Sequence, residues 1–152
     1  MKKLVAAALA LTIAAPLAAQ AGLVDFSVAT PLPGRWSFVP SATGGDAVFA
    51  DTAGRPQLTL RCTRATRRVS MLKPASTAAT AITVWTTSTR RSVASAFNPA
   101  TATINAEFAA TDPLLDAIGF SRGRFAVAVA GAPALVLPSW PEVSRVVEEC
   151  RT

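Results

Sequence analysis

Gln57-Leu-Thr-Leu-Arg-Cys-Thr-Arg-Ala-Thr-Arg-Arg-Val-Ser-Met71 is the stretch whose reading decides the fold. Leu58, Leu60 and Cys62 alternate with Thr59, Arg61 and Thr63, and a period of two places the first set on one face of a strand. Residues 64–68 interrupt the alternation, which resumes at Val69 and Met71. The pattern predicts a β-hairpin with arginines at its tip and Cys62 pointing inward.

The same signature recurs on both sides. Trp36 and Phe38, then Val48 and Phe49 after Gly44-Gly45, predict two strands joined by a turn, with a further turn at residues 51–54. Residues 82–87 are β-branched and threonine-rich, and Val93, Ser95 and Phe97 follow Ser88-Thr-Arg-Arg91, which predicts a second hairpin with an arginine pair in its turn. If Ile82 and Val84 face inward, Trp85 stands on the outer face of its strand. Ala102, Ile104, Ala106 and Phe108 alternate with Thr101, Thr103, Asn105 and Glu107, the cleanest strand pattern in the chain. Phe125, Val127 and Val129, then Leu135 and Leu137 beyond Gly131-Ala-Pro133, predict a third hairpin.

Two segments read as helices. Asp112 can cap, Pro113 suits the first helical position, and Leu114, Leu115 and Ile118 repeat at helical spacing, with an end before Gly123. Ser139-Trp-Pro-Glu142 has the form of a capping box, and Val143, Val146, Val147 and Cys150 fall at i, i+3, i+4 and i+7, so this cysteine too is aimed at the core. The expected architecture is mainly β: an antiparallel β-sandwich or partly open barrel of about eight strands with two short helices, in one domain over residues 35–152.

Residues 1–21 carry the layout of a secretory signal peptide: Lys2 and Lys3, an apolar run over residues 4–15, Pro16, and the small-residue end Ala19-Gln-Ala21. The run is too short to span a bilayer of about 30 Å, which takes roughly 20 apolar residues. The mature chain is expected to begin at Gly22, with a tether over residues 22–34, to lack a transmembrane anchor, and to be periplasmic or secreted. In an oxidising compartment Cys62 and Cys150, both in phase with buried residues, are expected to close a disulfide joining the sheet to the last helix.

Composition narrows the chemistry. The chain has 15 basic and 9 acidic residues for a net charge of +6, and loss of Lys2 and Lys3 leaves 13 basic residues and +4. Histidine and tyrosine are absent. A Ser-His-Asp or Cys-His site and a histidine zinc site therefore cannot be built, and no metal ligand set or cofactor is expected. The arginines gather near predicted turns: Arg61, Arg64, Arg67 and Arg68; Arg90 and Arg91; Arg122 and Arg124. Arg64, Arg67, Arg68, Arg90 and Arg91 are the candidate binding residues, for a protein partner or an anionic envelope component. The bland alternative is that they solubilise turns and guard strand edges. Nucleic acid is not expected, because no stacking aromatics interleave with them. Asp112, Asp116, Ser121, Arg122 and Arg124 bracket the first helix and would be the place to look for histidine-free hydrolysis, although capping and ion pairing explain them equally.

The Leu58-x-Leu60-Arg-Cys62 element, the strands after it and the final helix closing on Cys150-Arg151 resemble the layout of small exported proteins of Gram-negative bacteria, including periplasmic proteins associated with type VI secretion. The resemblance implies a fold type and a compartment, and no site residue. The function expected is a non-enzymatic exported envelope protein that binds a partner; the alternatives are an exported inhibitor of a hydrolase and, third, a histidine-free hydrolase.

Overall fold

The computed structural model describes residues 25–152; the expected leader and residues 22–24 of the tether lie outside the described residues. Strands β1 (Gly34–Ser41), β2 (Gly44–Asp51) and β3 (Pro56–Thr63) lead through a 3-10 turn (Arg64–Thr66) into β4 (Arg68–Pro74). They are followed by β5 (Ala81–Trp85), β6 (Arg90–Ala94), β7 (Ala96–Asn98) and β8 (Thr103–Ala109). Helix α1 (Pro113–Gly119), β9 (Arg124–Val129), β10 (Leu135–Pro138) and helix α2 (Pro141–Arg151) complete the chain. The larger sheet has the order β1-β2-β3-β4-β8-β7, the smaller β10-β9-β5-β6, and every neighbouring pair is antiparallel. Both sheets are open, so the sandwich is realised and the barrel is not.

Alternation decides which side chains meet between the sheets. Phe49, Leu58, Leu60, Met71, Ile104 and Phe108 from the larger sheet join Ile82, Val84, Phe125, Val127 and Leu137 from the smaller in one buried cluster. Each such side chain, fully withdrawn from water, contributes roughly 1.5–3 kcal/mol. Trp36 ties the two edges together: its indole N–H donates to the Pro138 carbonyl at 2.8 Å, and its ring packs edge-on to Phe49 and stacked on Phe125.

Helix α2 covers β2 and β3, burying Val143, Val146, Val147 and Cys150, the stripe read from its spacing. Cys150 bonds to Cys62 across a Cα separation of 5.4 Å. Gly44 is required beside this bridge, because it adopts φ +151° and a β-carbon there would lie 2.3 Å from the Cys62 carbonyl oxygen.

Three local expectations are corrected. The strand after the Arg90-Arg91 turn is two strands in different sheets: Ser95 donates its N–H to Thr80 and its hydroxyl to Ala79, both at 2.9 Å, and beyond this pin β7 crosses to pair with β8. This split brings the count to ten where about eight strands were expected. Ala102 is no strand residue; it takes φ +48° in the turn before β8. The capping box also fails. Trp140 is the N-cap of α2 and makes no side-chain cap bond, while the Ser139 hydroxyl lies 2.7 Å from the Ile118 carbonyl and 3.0 Å from that of Gly119, closing the end of α1. The motif was met in sequence, but the carbonyls at the end of a neighbouring helix took its hydroxyl.

The described part of the tether is docked. Leu32 N–H donates to Val136 O on the edge of β10 at 2.8 Å, and the Arg124 guanidinium donates to the Ala29 carbonyl. This covers part of one open sheet edge.

Candidate functional site

The arginine turns meet at one end of the sandwich, and α1 is what joins them. The Arg67 carbonyl accepts the Ala110 N–H at 2.9 Å, which holds the β3–β4 tip against the approach to α1. At the start of α1 the Asp112 carboxylate does two jobs: it accepts the Leu114 N–H at 2.8 Å as an N-cap and Arg91 at 2.6 and 2.7 Å. At the other end of α1, Ser121 Oγ accepts the Thr87 N–H at 3.1 Å, and the Arg122 N–H donates to the Thr87 hydroxyl at 3.3 Å. The tips of two hairpins and the exit of α1 are thus linked by hydrogen bonds at one end of the sandwich.

The candidate arginines differ in how they are engaged. Arg64 pairs with Glu149 at 3.4 Å, Arg68 with Glu107 at 3.7 Å and Arg91 with Asp112 at 2.6 Å. Such exposed pairs contribute about 0–1 kcal/mol each. Arg90 lies over the half-buried ring of Trp85 at 5.1 Å, and this tryptophan does stand on the outer face of its strand. Arg67 and Arg122 are exposed and form no ion pair among the described residues. Of the six arginines at these turns, Arg64, Arg68 and Arg91 are paired with carboxylates, while Arg67, Arg90 and Arg122 form no ion pair among the described residues.

Arg67 also occupies an unusual backbone position. It closes the 3-10 turn in the left-handed region at φ 50°, ψ 45°, where a side chain costs roughly 1–2 kcal/mol relative to glycine.

The groups that the sequence offers for histidine-free hydrolysis are engaged in other contacts. Asp116 pairs with Arg151 at 2.8 Å, Asp112 with Arg91, and Arg124 with the tether; the buried Ser121 hydroxyl donates to the Arg124 carbonyl. Among the described residues, no three His, Cys, Asp or Glu side chains are grouped to hold a metal ion, and no helix is long and apolar enough to cross a membrane.

A second surface was not legible in the sequence. Phe120 and Trp140 are 80 % and 41 % exposed, at the end of α1 and the start of α2. They flank an open groove of about 570 Å³ that also receives Glu142, Ser144, Arg145 and Glu148. Phe120 caps the end of α1, its backbone N–H reaching the Asp116 and Ile118 carbonyls, and it lies off the helix's buried stripe of 114, 115 and 118. No family model, curated protein or solved structure matches the chain.

Proposed function

We propose that this chain is an exported, non-catalytic binding domain whose arginine end engages an anionic partner, either an acidic face of another envelope protein or an anionic envelope polymer. The observation that carries the reading is Arg67. An exposed guanidinium without an ion pair among the described residues stands at a left-handed position that glycine would occupy at lower cost, and the fold brings its turn to the same end of the sandwich as the turns that carry Arg90 and Arg122. Solubility alone would be served by an arginine at any neighbouring turn position. The Cys62–Cys150 bridge suits an oxidising compartment, in keeping with the expected leader. A hydrolase inhibitor acting through the tether is supported less well, because residues 29 and 32 are tied to Arg124 and Val136 rather than presented to solvent.

The test is the triple variant R67E/R90E/R122E, which spares the arginines paired with Glu149, Glu107 and Asp112. It is expected to fold as the wild type does and to pass from the membrane-and-wall fraction to the soluble periplasmic fraction. Unchanged retention of the variant would defeat the proposal.

A further inference from the structure

The groove between α1 and α2 is a separate surface of opposite chemistry, and its reading does not depend on the arginine end. Its two aromatic side chains, Phe120 and Trp140, contribute to no core, since α1 and α2 bury other residues. Glu142 and Glu148 face the same groove and form no ion pair among the described residues, and one carboxylate oxygen of Glu142 is buried without a hydrogen-bond partner. Arg145 stands between them on the helix and also lines the groove, but it makes no ion pair with either, its guanidinium lying 4.0 Å over the ring of Phe38. A net basic protein thus presents a spot where exposed aromatic faces coincide with carboxylates that form no ion pair among the described residues.

We infer that this groove docks a polypeptide partner through an arginine or lysine side chain flanked by apolar residues. A long cationic side chain lays its methylene stem on aromatic surface while its head meets carboxylate, and a guanidinium both stacks on a ring and bonds a carboxylate in a plane. The occupant is chosen by charge complementarity. An anionic segment would meet Glu148 with like charge, and a purely apolar one would leave this exposed carboxylate facing it without a partner, whereas a cationic head supplies donors to it.

The test uses the chain from Gly22 and two blocked peptides, acetyl-Leu-Arg-Leu-amide and its citrulline counterpart, which has nearly the same shape without the charge. In a ¹⁵N-edited NMR titration the arginine peptide is expected to shift the Trp140 indole and the amides of residues 119–120 and 142–148, with a dissociation constant of about 1–10 mM. The citrulline peptide should bind at least about fivefold more weakly. F120S, at an exposed position, should weaken binding about tenfold with the fold unchanged. E148K should reverse the preference, favouring acetyl-Leu-Glu-Leu-amide. Equal binding of the two peptides, shifts located elsewhere, or no shifts at about 10 mM peptide would overturn the inference. So would self-association that F120S abolishes, which makes the occupant a second copy, or Phe120-dependent sedimentation with phosphatidylglycerol vesicles, which makes it a membrane surface.

Discussion

Breaking the Cys62–Cys150 bridge should separate two kinds of opening that the structure distinguishes. For global unfolding the cross-link closes a loop of sequence separation 88, for which the chain-entropy relation gives about 4.6 kcal/mol. That is about 30 % or more of the roughly 5–15 kcal/mol by which a domain of this kind is stable. For detachment of α2 alone, the chain is already anchored at Pro138 in β10, so the loop that opens is only the roughly dozen residues leading to Cys150 and the same relation gives about 2.8 kcal/mol. Guanidinium unfolding of oxidised protein, of reduced protein and of C62A/C150A measures the first quantity; the reduced protein keeps both sulfurs and so isolates the cross-link from their burial. The m-value should rise on reduction, because the unfolded chain is less constrained. Amide hydrogen exchange of α2 measures the second, and protection of Val146 and Val147 should fall about 100-fold on reduction. A global loss under about 1.5 kcal/mol, or equal losses for α2 and for the central strands, would refute loop closure as the source of the stabilisation.

Three further outcomes follow from the packing. S139A should cost roughly 1–2 kcal/mol and raise exchange at the end of α1 rather than at the start of α2, as circular dichroism melts and exchange would record; loss confined to α2 would restore the capping box. G44A should destabilise by several kcal/mol in denaturant titration, because the β-carbon meets the Cys62 backbone, which carries the bridge and cannot swing aside; wild-type stability would refute this. Lys73 lies at the end of β4 with its pKa lowered by burial. Since the folded value lies below the unfolded one, the unfolded chain binds more protons in the window between them, and stability should climb as pH rises through the folded pKa toward 10.5. K73M should be more stable than wild type at pH 7 and should lose that alkaline rise, and a variant that keeps the rise would assign it to another group.

Much of the fold was legible because its determinants are local. Leu58, Leu60 and Cys62 needed only a period of two to be assigned to the core, and Val143, Val146, Val147 and Cys150 only a helical one. Asp112-Pro113 announced α1 because an N-cap acts within its own first turn. The failures have the opposite character. Ser139-x-x-Glu142 carried every local mark of a cap, yet the hydroxyl went to Ile118 and Gly119, which no window around residue 139 contains. The crossing at Ser95 went unseen for the same reason, since its partners Ala79 and Thr80 belong to the preceding connection.

The candidate site divides in the same way. Clusters of arginine at turns were visible in the chain, and so were the inward phases of both cysteines. Whether the clusters come to one end of the sandwich depended on α1 and its approach linking the Arg67 turn to Arg91, and which arginines stay available depended on where Glu107, Glu149 and Asp112 came to rest. Phe120 lies off the helical stripe of Leu114, Leu115 and Ile118, and only the placement of α2 beside it makes a groove with Trp140, Glu142 and Glu148. Periodicity and composition thus determined by themselves that this is a disulfide-ready β domain without histidine chemistry, because side-chain direction along a strand or helix is a property of neighbouring residues. The order of the strands, the convergence of the arginine turns and the aromatic groove were decided by tertiary structure alone, because each is a pairing of residues distant in the chain.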